Sequence, residues 1–304
     1  AIVLKSSTTV ATETAATEKK SSSEKKEKQS SASSPTAASP PKSALVLFYQ
    51  YVSSGDGAAS RWSESRVNHL MTYLSKIGQV RGIGGRIRVA PEGVNATISS
   101  LDHNNSTSKT SAIETLHHFA KDLQQFDKLF DNTHFKYIQD LSYDRHFKDL
   151  KILPVKELVF YGLDNEQAPL DKGGTHLLPK DFHDMLSQKE TVVVDVRNHY
   201  EAAIGRFDGQ QEQQHQKDDE QKQQQHDTVD QGDRETPKPK QQGGGATYID
   251  PKMRKSTDFP GWLKQPETES QLKDKNILLY CTGGVRCERA SAFLNKQMGD
   301  KLKG

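Results

Sequence analysis

A cysteine followed by two glycines and an arginine is the part of this sequence best suited to chemistry. It stands in CTGGVR, which comprises Cys281, Thr282, Gly283, Gly284, Val285 and Arg286. Glycine has no side chain, so the backbone there can curl until successive N–H groups point inward and form an anion-binding nest. The positive end of a following helix and the charges of Arg286 and Arg289 would strengthen this field. We therefore expect Cys281 to be a thiolate at neutral pH, able to carry sulfur as a persulfide.

Spacing decides among the other roles of Cys281. Protein tyrosine phosphatases use a longer spacing between cysteine and arginine than the four residues that separate Cys281 from Arg286. A zinc site usually needs two closely spaced ligand pairs, but Cys281 and Cys287 are the only cysteines and five residues separate them. An inert buried cysteine is the structural alternative, and the glycines and arginine argue against it. Cys287 falls within the predicted helix, where it is either packed in the core or a resolving thiol.

The elements that would position this loop alternate between strands and helices. Two continuous apolar runs, TVVVDV at 191–196 and NILLY at 276–280, are typical of buried parallel strands. Helices are predicted at 178–186 and 286–298, with a helical turn in HYEAAIGRF. This pattern predicts an α/β unit built on a parallel sheet. Ligands bind at the carboxyl ends of parallel strands, and Cys281 stands directly after NILLY.

A different pattern precedes this unit. Strand-like runs at 44–52 and 133–141 enclose two helical stretches and a pair of strands that turn at Pro91–Gly93. Apolar residues recur in the helical stretches at three- and four-residue spacing, so they line one face. Gly78 is expected to end the first helix. The order β-α-β-β-α-β predicts a ferredoxin-like fold.

Two long segments show no apolar periodicity. Residues 1–44 are rich in Ala, Ser, Thr and Lys, and residues 210–245 are mostly Gln, His, Lys and Asp. Neither can bury enough surface to offset the entropy lost on folding, so both are predicted to be disordered. The formal net charge of +2 confines any nucleic-acid contact to a local patch. Two cysteines and the lack of a bilayer-length apolar run predict a soluble protein of a reducing compartment.

Four stretches together resemble one known family. CTGGVRCERASAF looks like the active loop of rhodanese-domain proteins, and three more stretches extend the likeness to both predicted units: FYQYV at 48–52, GRIRVAPEGVNATIS at 85–99 and VDVRNHYEAAIGRF at 194–207. The combination resembles the tRNA uridine(34) hydroxylase family, also called UPF0176, and its eukaryotic rhodanese-like domain-containing relatives. Generic rhodanese domains lack the N-terminal part. The long Gln-rich insert favours a eukaryotic source.

The resemblance implies a division of the chain. A disordered tail at 1–44 would be followed by a ferredoxin-like (acylphosphatase-like) domain at 45–142 and a connector at 143–177. A rhodanese α/β domain with a parallel sheet would occupy 178–304 and contain the Gln-rich insert at 210–245.

The resemblance also implies roles for individual residues. Cys281 would be the active-site residue and Arg286 the arginine of its loop. The polar positions around the loop would be occupied by Asp195, Arg197 and Glu201, which either act in the site or form salt bridges that hold the loop's neighbours in place. Arg86 and Arg88 match the N-terminal motif, and they are either a tRNA phosphate contact or an ordinary solvated strand face.

The sequence departs from the family in two places. Gly209 and Ala246, adjacent in the family motif, are separated here by the Gln-rich segment, which costs little because loop-closure entropy grows only logarithmically with length. The sequence stops at Gly304, whereas family members continue with a further strand and helix. The rhodanese domain is therefore expected to be truncated at its C-terminus, with a sheet that lacks a neighbouring strand. The Cys-rich tail of some bacterial members is absent, so no metal and no other cofactor is inferred.

Three hypotheses for function follow. The first is oxygen-dependent 5-hydroxylation of the wobble uridine 34 of tRNA, with tRNA as partner and Cys281 essential. The second is a rhodanese-type sulfurtransferase, in which Cys281 takes sulfur from thiosulfate or another sulfane-sulfur donor. The third is a non-catalytic module that binds RNA or protein, against which the intact cysteine loop argues. No membrane partner is expected; the predicted compartment is the cytoplasm, with a plastid as the alternative.

Overall fold

The part of the chain that the structure describes is organised around two five-stranded sheets. The computed structural model describes residues 2–4, 41–52, 61–105, 108–207 and 245–302. The predicted Gln-rich insert lies outside the described residues except for Gly245, as does most of the predicted N-terminal tail. Within that tail, however, Ile2–Leu4 forms a strand, β1.

The first sheet confirms the ferredoxin-like prediction and adds one strand to it. Its order is β7-β2-β4-β3-β8, and all pairs except β3 with β8 are antiparallel. The strands of this part of the chain are β2 (Ser43–Tyr51), β3 (Gly84–Ala90), β4 (Gly93–Leu101), a small hairpin of β5 (His103–Asn105) and β6 (Ser108–Thr110), β7 (Lys136–Leu141) and β8 (Leu150–Pro154). Strand β8 lies inside the segment predicted to be a connector, so this unit extends further along the chain than predicted.

Helices α1 (Glu64–Val80) and α2 (Ala112–Phe126) cover one face of the first sheet. The Ser63 side chain accepts the N–H of Arg66 at the start of α1, and Ser111 forms a capping box with Glu114 at the start of α2. Their apolar stripes pack on Val46, Phe48, Ile87, Val94 and Ile98. The prediction that Gly78 ends α1 was wrong. Gly78 is buried inside the helix, where a Cβ would lie 2.3 Å from the Leu150 side chain.

The second sheet has the order β11-β10-β12-β1-β9. Its later strands are β9 (Thr175–His176), β10 (Thr191–Asp195), β11 (Thr247–Ile249) and β12 (Asn276–Tyr280). These four run in one direction, and the parallel pairing of β10 with β12 was predicted; the sheet is mixed because β1 lies antiparallel between β12 and β9. Strand β12 therefore pairs on both sides, with β10 and with β1. Ile2 and Val3 are buried there, one in the core on each face of the sheet.

Among the described residues, five helices accompany this sheet: α3 (Pro179–Leu186), α4 (His199–Ile204), α5 (Phe259–Leu263), α6 (Pro266–Leu272) and α7 (Val285–Met298). Helix α7 is buried over most of its length, and Ala290, Phe293 and Leu294 pack into the larger core with Val192, Val194, Ile277 and Leu279. Across the described residues, no helix combines the length and apolar character needed to cross a membrane.

Candidate active site

The cysteine loop joins the buried strand β12 to helix α7. Cys281 follows Tyr280, the last residue of β12, and α7 begins at Val285, one residue earlier than predicted. Gly284 has φ of 103°, a conformation that residues with a Cβ rarely adopt, and this turn lets the chain curl back toward the sulfur. The local sequence signals of an apolar strand, paired glycines and a helix therefore produce the predicted loop.

Several donors surround the sulfur of Cys281. The N–H of Gly284 donates to Sγ at 3.0 Å. Hydrogen bonding from Cys287, the charge of Arg286 and the N–H groups of Gly284 and Gly283 outweigh the effect of burial and lower the pKa of Cys281 to about 5. A thiol with this pKa is ionised at neutral pH, and the thiolate is the nucleophilic form of cysteine.

Cys287 is a residue beside Cys281 whose role the sequence left open. It is almost fully buried, and its N–H donates to the carbonyl of Gly284 at 2.9 Å. Burial, followed by its hydrogen bond to Cys281, raises the pKa of the Cys287 thiol well above its usual value. Since the pKa of Cys287 is raised and that of Cys281 is lowered, Cys281 is the acceptor of this pair and Cys287 the donor. Its position in the first turn of α7 was the signal available in the sequence; a resolving role stays a prediction.

Glu201 holds the loop arginine. Its carboxylate accepts two hydrogen bonds from Arg286, at 2.8 and 3.0 Å, and one from the Thr282 hydroxyl at 2.8 Å. Arg286 also donates to the Thr282 hydroxyl at 2.8 Å. Mainly because of the Arg286 hydrogen bonds, the pKa of Glu201 is lowered to about 2. Helix α4 thus fixes the loop from the side, and of the three polar positions predicted around it, Glu201 is the one that reaches it.

Asp195 and Arg197 lie at the ends of the parallel strands. The fully buried Asp195 carboxylate accepts hydrogen bonds from the Arg197 guanidinium at 2.7 to 3.2 Å and from the Tyr280 hydroxyl at 2.6 Å. The Tyr248 hydroxyl donates to the same carboxylate at 3.3 Å. These bonds tie β10, β11 and β12 together at the end of the sheet where Cys281 follows β12. The geometry is that of salt bridges holding the loop's neighbours, one of the two roles predicted for this pair.

Arg289 does not serve the loop as the sequence suggested. Its side chain is 1 % exposed, and it forms an ion pair with Glu92, which is 3 % exposed and lies at the turn between β3 and β4. It also donates to the carbonyl of Ala168 at 2.9 Å, and Glu92 accepts the N–H of Leu158 at 2.7 Å. The charge expected beside the thiolate is therefore neutralised in a buried pair that joins α7 to the first unit.

The open face of the first sheet packs directly on the cysteine loop. A Cβ on Gly283 would lie 2.6 Å from the Leu47 side chain, and one on Gly284 would lie 2.8 Å from the Tyr49 hydroxyl. Lys136 Nζ donates to the Gly283 carbonyl at 2.9 Å. The two glycines thus admit side chains of the first unit as well as permitting the turn. Sequence reasoning missed Leu47, Tyr49 and Lys136 because only the docking of the units brings them to the loop.

Glu288 is the acceptor at the centre of a second contact between the units. Its Oε1 accepts hydrogen bonds from the Tyr49 hydroxyl at 2.6 Å and from His176 Nε2 at 2.8 Å. The bond to Glu288 raises the pKa of His176. Three elements, β2, β9 and α7, therefore meet one residue beyond Cys287.

A row of side chains crosses the first sheet from this loop to a basic cleft. Strand register places Lys136, Leu47, Thr97, Arg86 and Lys151 opposite one another on five successive strands. Residues paired in this way share a face of the sheet, and four strand spacings make the row about 19 Å long. We call this set the cross-sheet row. Its Lys136 end contacts the loop, and its other end opens into the cleft.

The cleft has a volume of about 560 Å³ and a largely basic lining. Its polar lining residues are Arg86, Arg88, Asn95, Thr97, Lys148, Asp149 and Lys151. Arg86 and Arg88, predicted from the sequence to share a strand face, do so here. Among the residues that the structure describes, neither they nor Lys148 and Lys151 form an ion pair. Their charges are available to an anion.

Comparison with known proteins gives relatives for both units. Residues 43–158 match the family described as UPF0176 acylphosphatase like domain. The chain is 29% identical over 253 residues to a tRNA uridine(34) hydroxylase of Oceanobacillus iheyensis, covering 83% of this chain and 58% of the relative. It is 31% identical over 259 residues to one from Onion yellows phytoplasma, covering 85% of this chain and 63% of the relative.

A plant protein extends the comparison. The chain is 27% identical over 269 residues to rhodanese-like domain-containing protein 6 of Arabidopsis thaliana, which covers 83% of this chain and 36% of that protein. The chain thus spans between about a third and two thirds of the length of these relatives.

Proposed function

We propose that this chain, like the tRNA uridine(34) hydroxylases to which it is similar, modifies the wobble uridine of tRNA by replacing the hydrogen at C5 with a hydroxyl group. Cys281 is the essential residue of this proposal. With dioxygen as the source, one oxygen atom enters the base, the other leaves as water, and a reductant supplies two electrons. The cytoplasm is the proposed compartment, and a plastid is the alternative.

The observation that carries the proposal is that the Cys281 loop and the basic cleft lie on the same face of the first sheet. The Cys281 loop packs on one end of the cross-sheet row, and the basic cleft opens at the other. A folded RNA loop presents bases that can be splayed out beside a row of phosphates. With its backbone in the cleft, an anticodon loop could extend one base toward Cys281. Generic sulfur chemistry at a cysteine loop does not require a second unit with unpaired cations.

Each residue has a role in this arrangement. Cys281 supplies the thiolate at the reacting base. Arg286, held by Glu201 and Thr282, keeps a positive charge beside the sulfur. Arg86 and Arg88 contact phosphates, which positions the RNA without reading its sequence.

Nucleoside mass spectrometry tests the proposal. In cells of the source organism that lack the gene, we expect 5-hydroxyuridine at the wobble position to disappear, to return with the wild-type gene, and to stay absent with Cys281→Ser. Unchanged 5-hydroxyuridine in the deletion strain would reject the hydroxylase function. Cys287→Ser serves as a matched cysteine variant, because it keeps a hydroxyl donor beside Cys281.

Sulfur transfer is the second candidate, and the donors around the sulfur of Cys281 support it, because they suit a persulfide as well as a thiolate. A thiolate attacks the outer sulfur of thiosulfate, forms a persulfide and releases sulfite; cyanide then takes the outer sulfur as thiocyanate and restores the thiolate. The nest of N–H donors would hold the persulfide anion equally well. Two results together would favour this candidate. The wild type would produce thiocyanate and Cys281→Ser would not, and deletion of the gene would leave 5-hydroxyuridine unchanged.

A further inference from the structure

One peptide group connects a lysine of the first unit to the sulfur of Cys281. Lys136 Nζ donates to the carbonyl oxygen of Gly283 at 2.9 Å. The nitrogen of Gly284 donates to Cys281 Sγ at 3.0 Å. The Gly283 carbonyl and the Gly284 N–H belong to the same peptide unit. The ammonium, the peptide and the sulfur therefore form one continuous chain of two hydrogen bonds.

We propose that Lys136 is a positioning residue for the Cys281 thiolate and acts through the Gly283–Gly284 peptide group, across the interface between the two units. A cation at a carbonyl oxygen polarises the amide, so its N–H becomes a stronger donor. The acceptor of that N–H is the atom that carries the negative charge. A stronger donor therefore favours the thiolate over the thiol.

The surroundings of Lys136 show that its ammonium is held in place. Lys136 is the first residue of β7, paired with Leu47, and Nζ lies 5.4 Å from the centre of the Tyr49 ring. Burial lowers the pKa of Lys136, and the attraction of Cys281 and Glu288 opposes that effect. A half-buried lysine loses hydration and rotamer freedom. A role confined to linking the units would not require its bond to fall on a peptide whose N–H donates to the sulfur.

Other ionisable groups also face Cys281 and have to be separated from the effect of Lys136. They are Arg286, Cys287 and Glu288 from α7, Tyr49 and Tyr51 from β2, and Tyr161 from the segment after β8. Arg286 is paired with Glu201, and Glu288 with Tyr49 and His176. In this set Lys136 is the cation that the first unit contributes. Changing it alone leaves the other pairs in place.

The inference concerns the thiolate and holds for either reaction at Cys281. It makes the first unit a part of the cysteine site in addition to a surface for RNA. Its test uses the thiol alone and no tRNA, so a failure here is distinct from a failure of the proposed function.

The experiment measures the pH dependence of Cys281 alkylation by iodoacetamide, followed by mass spectrometry of the peptide that contains Cys281. Lys136→Met removes the ammonium group and keeps an unbranched side chain of nearly the same length; Lys136→Gln keeps a neutral donor, and Lys136→Arg keeps the charge. Lys151→Met is the matched control, because Lys151 stands at the opposite end of the cross-sheet row. Circular dichroism melting curves establish that each variant is folded.

We expect Lys136→Met to move the midpoint of alkylation upward by roughly 0.5 to 1 pH unit. Lys136→Arg should restore most of the shift, and Lys151→Met should leave the midpoint unchanged. In NMR spectra of Lys136→Met, the amide proton of Gly284 should move upfield as its hydrogen bond weakens. Folded Lys136→Met with the wild-type midpoint and an unmoved Gly284 resonance would overturn the proposal. If Lys136→Met does not fold, Lys136→Gln decides by the same two measurements.

Discussion

Charged side chains have partners at one end of the cross-sheet row and lack ion-pair partners among the described residues at the other. At the Cys281 end, Arg286 is paired with Glu201, Glu288 accepts from Tyr49 and His176, and Lys136 donates to Gly283. At the cleft end, the lining cations have no ion-pair partner among the described residues. Paired charges hold a reactive group in a fixed geometry. Unpaired charges on an open face attract an anion from solution. The contrast separates the part of the surface suited to chemistry from the part suited to binding.

The largest expected effect is a loss of stability. It concerns the buried Glu92–Arg289 ion pair, whose charges are paired like those around Cys281. Glu92→Gln leaves the Arg289 charge buried without a counterion, so we expect the free energy of unfolding to fall by about 3 to 5 kcal/mol. In the basic cleft, where the arginines form no ion pair among the described residues, Arg88→Gln should change the free energy of unfolding by less than about 0.5 kcal/mol. Denaturant unfolding measures both.

A double variant checks the cause of that loss. Glu92→Gln combined with Arg289→Met removes the stranded charge, and we expect it to be more stable than Glu92→Gln alone. If Glu92→Gln unfolds with the wild-type free energy, the buried pair does not hold the two units together in the way described above.

Cys287→Ala is expected to have the next largest effect, on the pKa of Cys281. It removes the hydrogen bond that contributes most to lowering this pKa. Hydrogen bonds to charged groups contribute about 1.5 to 3 kcal/mol, which corresponds to an upward shift of roughly 1 to 2 pH units. Thiolate absorbance near 240 nm, recorded against pH, measures the shift.

Cys287→Ser is the matched control for this prediction. A buried serine hydroxyl can still donate to the thiolate, so its titration should stay closer to that of the wild type. If Cys287→Ala titrates at the wild-type pH, Cys287 is only a packed core residue, which is the simpler of the two roles predicted from the sequence.

The contrast between the two ends also shows which features could be predicted from the sequence. The strands TVVVDV and NILLY, the glycine turn and the helix after it are local patterns, so they were predicted nearly in place. The cleft arginines were predicted to share a face because alternate residues of a strand do so. Each of these inferences needed only neighbours along the chain.

Contacts between segments that are distant in sequence could not be predicted from such local patterns. Arg289 lies one turn of helix from Arg286, and its spacing suggested a second charge for the loop, yet its partner Glu92 belongs to the other unit. Lys136 gave no signal because its role depends on the docking of the first sheet. Strand β8 was missed for the same reason, since its parallel partner β3 is distant in sequence.

Substitutions in the cleft should have a smaller effect, which is measured as a loss of RNA affinity. Arg86→Gln combined with Arg88→Gln should weaken binding of an anticodon stem-loop RNA at every sequence tested. Two lost phosphate contacts should lower the slope of log affinity against log salt by roughly 1.4 for a single-stranded site. Arg61→Gln with Arg254→Gln, at exposed arginines outside the cleft, is the matched control. Equal slopes for the two double variants would remove the cleft from the RNA-binding surface.

The smallest expected effect is the response of Cys281 to pH above neutrality. Its pKa is about 5 in the folded chain, against an ordinary value of 9.0, so the thiolate is nearly complete at pH 7 and alkylation should change little between about pH 7 and 9. The stabilisation that this ionisation gives to the fold is fully present above the unfolded value, declines as the pH falls toward 5 and is absent below it. In the unfolded chain, alkylation should instead rise steeply from pH 7 to 9, as it does for an exposed thiol. A native protein that shows the same steep rise would have a protonated Cys281 at neutral pH, and the paired charges around the loop would then hold a structure without activating it.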